Sequence, residues 1–186
     1  GNSAMAVAIL TRLRSLTKFG VDMELLKRQT QCLMSAANLD DWSLDVHLSN
    51  DKTMKDLNAR YRGKDKSTDI LSFPFHEYLY PGQSLKHIPE DERVLGEIII
   101  SVPYVSRWCK KNQVPIATRL PELMAHGICH CLHYDHEKEV DFRIMRAREQ
   151  LLLRKLNSSM KVDSSQAAEK PFEPLPLTQV QPEEAA

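Results

Sequence analysis

The chain has 186 residues, of which 42% are hydrophobic and 27% charged, the composition of one globular domain of ordinary size plus a tail. Its apolar runs, such as Ile98-Ile99-Ile100, fall far short of the ~20 residues that a membrane span needs. The formal net charge is zero, which excludes a chain that is basic throughout but leaves room for a local basic surface.

Residues 1–5, Gly-Asn-Ser-Ala up to Met5, read as a cloning remnant, and Ala6 to Leu16 as a β-leaning first segment rather than a leader peptide. Asp22 is placed to cap a helix over Met23 to Ala37, with Leu25, Leu26, Cys32 and Leu33 as its apolar stripe. Trp42 to Ser49 alternates, with Trp42, Leu44, Val46 and Leu48 on one face, the pattern of a half-buried strand. Asn50 or Asp51 caps a second helix carrying Met54, Leu57 and Tyr61. A basic turn follows, then a strand over Asp69 to Phe75 that Pro74 assigns to an edge or an end.

Pro81, Gly82 and Pro89 mark residues 76–93 as a long loop, and Leu95 to Val102 as the most buried strand. Ser101 and Pro103 open a third helix, and Pro121 suits the first turn of a fourth. Val140 to Leu156 makes a fifth helix. The chain from Asn157 is rich in Ser, Pro, Glu and Gln, so residues 157–186 are expected to be a disordered tail. That tail holds five acids and two lysines, leaving 23 of the 25 bases and 20 of the 25 acids in the mildly basic body. The expected fold is α+β, a small mixed sheet of about four strands with about five helices, forming one domain over residues 6–156. Four cysteines without a CxxC spacing point to a reducing compartment, cytoplasmic or alternatively mitochondrial.

Four histidines, His126, His130, His133 and His136, fall within one short stretch. His126 and His130 stand i, i+4 on the fourth helix, so their rings share a face, while Leu120, Met124, Ile128 and Cys131 share the opposite one. His136, in the turn after the helix, can fold back to complete a set of three. Three neutral imidazoles and an open position are the requirements of a catalytic zinc site, one ion per chain, though another divalent transition metal would fit. The same HxxxHxxxxxH spacing occurs in metalloproteases, which need a glutamate directly after the first histidine. Here Gly127 holds that place, so proteolysis would require another acid such as Glu97 and ranks second. A third reading is a non-catalytic protein whose metal only staples the fold, closed by a fourth ligand such as His133 or an acid.

His126-Gly-Ile-Cys-His130-Cys-Leu-His-Tyr-Asp-His136 resembles the HGxLHLxGYDH signature of the YbeY family of endoribonucleases. Leu57-Asn-Ala-Arg-Tyr-Arg-Gly-Lys-Asp-Lys-Ser-Thr-Asp-Ile-Leu-Ser-Phe-Pro74 is similar to that family's LNxxYRGKDKPTDVLSFP stretch, and Leu95-Gly96-Glu97 to its LGD motif. The resemblance spans about Ala6 to Leu156 in order. It implies a zinc-type ion on His126, His130 and His136, single-strand-specific cleavage in ribosomal RNA maturation, and a functional arginine at Arg62. Cys129 and Cys131 stand where the family has leucines and read as small apolar fillers. His133 stands where the family has a helix-ending glycine, so it either takes a left-handed backbone or the helix ends differently.

Arg62 is thus the candidate for clamping the phosphate, and Arg60, Lys64 and Lys66 are candidate contacts to the RNA backbone. The nucleophile, water or a ribose 2′-OH, is left open. Nothing in the chain reads as an RNA-sequence-reading module, so specificity is expected from ribosomal context or from a ribosomal or assembly-factor protein partner; with a structural metal, the chain would instead be a non-catalytic ribosome-assembly factor.

Overall fold

A computed structural model describes residues 5–164; residues 1–4 and 165–186, the latter most of the expected tail, lie outside it. The described residues form four strands and five helices, β1 (Ala6–Thr11), α1 (Met23–Ala36), β2 (Ser43–Ser49), α2 (Asp51–Arg62), β3 (Ile70–Pro74), β4 (Val94–Ser101), α3 (Val102–Asn112), α4 (Ile116–Cys131) and α5 (Glu139–Ser164). None of these helices is long and apolar enough to cross a membrane.

The sheet is mixed, in the order β1-β2-β4-β3, with β3 antiparallel to β4 and the other pairs parallel. The alternation in β2 buries Leu44, Val46 and Leu48. In β4, Ile98 and Ile100 join them in the main core, whereas Ile99 packs with Leu71 and Met54 in a second cluster. Helices therefore cover both faces, α4 lying over β3 and β4 with α1 and α5 beside it, and α2 contributing Met54 to the opposite side. Leu95 is bulged out of the β2–β4 register, and Gly96 beside it has φ +145°. A Cβ on Gly96 would collide with the carbonyl of Phe73, so only glycine allows β3 to close against β4 here.

Side-chain caps fix several helix starts. Asp22 accepts from the Leu25 amide, Asn50 from Thr53 and Ser101 from Tyr104. Two boundaries and one burial differ from the sequence-based expectation. The fourth helix begins at Ile116 and runs through Pro121, although a proline there removes a helical donor. Its first turn is held instead by Arg119, which pairs with Glu122 at 3.1 Å and lies 4.3 Å over the Trp108 ring. The fifth helix runs past Asn157 to Ser164, so residues 157–164 do not belong to a disordered tail. Ser158 and Ser159, which suggest a stop, donate instead to the carbonyls of Arg154 and Lys155, and Met160 packs on the core. Finally, Tyr61 on α2 is 60% exposed and rests edge-on against Phe73 rather than inside the core.

Candidate metal centre

Helix α4 is apolar over most of its circumference. Besides Leu120, Met124, Ile128 and Cys131, it buries Leu123, Ala125, Gly127 and Cys129. The expectation of one apolar face opposite the imidazoles is thus corrected, because α1, α5 and the sheet enclose the helix together. Gly127 explains how closely it lies on the sheet. A Cβ there would stand 2.7 Å from Cδ1 of Ile98 and 3.2 Å from Cδ1 of Ile70. The position that a metalloprotease fills with glutamate is therefore pressed onto β3 and β4, with no space for a carboxylate.

At its C-terminus α4 closes in a Schellman turn. The His133 amide donates to the His130 carbonyl and the Tyr134 amide to the Cys129 carbonyl, while His133 takes φ +62°. Histidine thus adopts the left-handed conformation usually given to glycine. Its ring N–H donates to the carbonyl of His76 at 2.5 Å, which ties the turn to the long loop and offsets the backbone strain. With Nε2 engaged in this way, His133 stands outside the histidine cluster.

The turn returns His136 toward the helix. Ligand atoms of His126, His130 and His136 lie within 4.8 Å of one another, and no fourth His, Cys, Asp or Glu among the described residues joins them. The ring centroids are 4.4 Å apart for His126 and His130, 5.0 Å for His130 and His136, and 5.6 Å for His126 and His136. Two of the rings are oriented from behind. Nδ1 of His126 donates to the carboxylate of Glu149 on α5 at 2.7 Å, and Nδ1 of His130 donates to the Tyr134 carbonyl at 3.1 Å. A proton held on each Nδ1 leaves each Nε2 as a bare lone pair, and these two atoms face each other at 3.0 Å. Two acceptors so close repel unless a cation lies between them. The tetrahedral Zn–N geometry sets nitrogens ~3.3 Å apart, so the donors present fit a divalent transition ion. Burial, with His126 and His136 nearby, pushes the His130 pKa down to about 3, which keeps its imidazole neutral.

The cysteines do not join this chemistry. Burial drives the Cys129 thiol far up, with Glu149 adding to the effect, and burial raises Cys131 to about 12. Both act as fillers, as expected. Glu97 pairs through its carboxylate with Nε2 of His47 at 2.8 Å, on β2, so this acid is committed elsewhere.

Arg62 is the last residue of α2, exposed at its surface, with Arg60 two residues earlier and also exposed. No hydrogen bond or ion pair among the described residues joins Arg60, Arg62, Lys64 or Lys66 to the histidines. The turn that carries them is nonetheless braced. Asn58 Nδ2 donates to the Lys66 carbonyl at 2.8 Å, and Ser67 donates to Asp51, which also accepts from Ser101 and from Arg107 at 2.7 Å. The Arg107 hydrogen bond is the main reason that the Asp51 carboxyl lies below its usual range. This braced turn leads directly into Ile70 of β3, the strand on which Gly127 rests. Glu149 and the Tyr134 carbonyl were not visible in the sequence. One is separated from His126 by 23 positions, and the other acts through its backbone.

Comparison with known proteins follows the same lines. The family profile described as Endoribonuclease YbeY matches residues 15–157. A curated Endoribonuclease YbeY from Persephonella marina is 34% identical over 129 residues, covering 67% of this chain and 73% of that protein. Its namesakes from Desulforamulus reducens and Aquifex aeolicus are 33% and 31% identical, covering 75% and 80% of this chain and 91% and 93% of their own lengths. The solution structure of TM1509 from Thermotoga maritima superposes with a TM-score of 0.53 at 21% identity, over 89% of this chain and 97% of that one, a likeness of fold.

Proposed function

The chain belongs to the Endoribonuclease YbeY family, and from that premise we propose that it is a zinc-type endoribonuclease cutting single-stranded RNA, ribosomal RNA in particular, during its maturation. The observation that carries the reading is the pair of bare Nε2 atoms on His126 and His130, each aligned by an acceptor behind its ring. His136 supplies the third donor. A divalent ion bound by three imidazoles lowers the pKa of a water in its open position toward ~7 and polarises a phosphoryl oxygen.

In this reading each residue has a separate task. Glu149 and the Tyr134 carbonyl hold the tautomers of His126 and His130 and keep their rings aimed. Arg62, without a side-chain partner among the described residues, offers a planar fork to the two non-bridging oxygens of a phosphate and balances the charge gathering on them. Arg60, Lys64 and Lys66 bind neighbouring phosphates as point or forked cations. Exposed Tyr61, Phe75, Tyr78 and Tyr80 present ring faces on which unpaired bases stack, which favours a single strand over a duplex. Choice among RNA sites falls to ribosomal context or a protein partner.

The alternatives lose support at particular residues. A closed structural site needs a fourth ligand, and His133 is turned onto His76. A protease needs a carboxylate where Gly127 packs on Ile98, and Glu97 is bound to His47.

The zinc-loaded protein is expected to cleave an end-labelled single-stranded ribosomal RNA fragment. A chelator should stop it, zinc should restore it, and the same sequence annealed to its complement should resist. Cleavage that survives the chelator, or equal cleavage of the duplex, would contradict the proposal.

A further inference from the structure

A cavity of about 580 Å³, in the size range of small-ligand sites, lies between the end of α1, the long loop and the turn after α4. Two of the elements that orient the histidines also line it. Arg148 of α5 directly precedes Glu149, which holds His126, and Tyr134 holds His130 through its carbonyl. The third wall is the long loop, with Leu79 and Tyr80, and His133 ties that loop to the same turn through the His76 carbonyl. The cavity and the histidine cluster thus share a frame.

Its lining is aromatic and cationic. Trp42 and Leu79 are buried, whereas Tyr80 is 66% exposed. Lys86, Arg93 and Arg148 outnumber the single acid, Asp41, which is already paired with Arg93. Arg148 donates from Nη2 to the Ala37 carbonyl at 3.4 Å, a long hydrogen bond, and its buried Nε has no acceptor among the described residues. Nε is shut away from solvent, but the guanidinium carries five N–H donors, and its terminal nitrogens at the cavity wall can serve a ligand that carries acceptors.

We propose that this cavity is the subsite for one unpaired base of the RNA strand cut at the histidine cluster, its ring against the aromatic lining and its acceptor edge toward Arg148. The inference rests on the ribonuclease reading and extends it to a substrate preference. Guanine is the favoured base, since its adjacent O6 and N7 acceptors match the fork of a guanidinium. The surplus of cations beside the cavity suits the phosphates on either side of that base.

The test is binding of the zinc-loaded full chain to a single-stranded 2′-O-methyl oligomer rich in guanine, checked for integrity after each titration. Bases are removed one position at a time to leave abasic residues. One position should stand out, its loss weakening binding roughly ten-fold, the scale of a stacked base. Tyr80→Ala and Arg148→Met should each flatten that profile while keeping the parent's metal content. Should Arg148→Met fail to fold, Tyr80→Ala decides alone, because its side chain is largely exposed. Equal losses at all positions, or a profile unchanged in the folded variants, would overturn the subsite while cleavage of ordinary RNA by the parent leaves the ribonuclease reading standing. A parent that neither binds nor cuts any RNA overturns both.

Discussion

His130→Ala is expected to lose bound metal and RNA cleavage together. His130 stands between the other two histidines in the cluster, and its ring is aligned by the Tyr134 carbonyl. Removing a residue that merely orients a ligand weakens metal binding ~10–100-fold, so loss of the donor itself should exceed ~100-fold, and cleavage should fall to background. Glu149→Gln should be intermediate, because an amide still occupies the space behind His126 but no longer balances its charge. The fold should survive, since the Schellman hydrogen bonds at the end of α4 are made by the backbone. The orphaned Tyr134 carbonyl costs about 1–3 kcal/mol. Metal analysis, thermal melting of the chelated proteins and cleavage assays read the three effects separately. Full metal retention by His130→Ala would remove it from the site.

Much of this centre was legible in the sequence because it is local. The i, i+4 spacing of His126 and His130 is a property of one helix, and the short turn after it brings His136 back as the third donor. Caps at Asp22, Asn50 and Ser101 were legible for the same reason. What escaped depends on partners distant in the chain. Pro121 reads as a helix start until Arg119 and Trp108 are seen holding the turn before it. The serines at the end of α5 read as a stop because their bonds to the preceding turn and the docking of Met160 cannot be inferred from composition. Gly127 could be recognised as lacking a protease's acid, but the reason for it, the contact with Ile98 and Ile70, belongs to the packed sheet.

Arg62→Ala should retain fold and metal yet lose ~10²–10³ in cleavage rate, the usual consequence of removing one preorganised charge at a reacting centre. Its side chain is exposed at the end of α2 and bonds to none of the described residues, so a stability change is not expected. Arg62→Lys should recover only part of the rate, because an ammonium cannot reproduce two parallel hydrogen bonds to a phosphate. All variants must be compared at one salt concentration, since phosphate binding weakens steeply with ionic strength. Parent-like cleavage by Arg62→Ala would reduce Arg62 to a solvated turn residue. A turn braced by Asp51 and Asn58 makes that outcome informative, since the loop would still be held in place.

X-ray absorption at the metal edge of the purified protein tests most directly whether three imidazoles hold an ion with one position open. The expected spectrum has three imidazole nitrogens at ~2.0–2.1 Å and one exchangeable light-atom donor, reduced by one imidazole in His136→Ala and unchanged in His133→Ala. A sulfur neighbour at ~2.3 Å, four imidazoles, or a spectrum indifferent to His136→Ala would contradict the site.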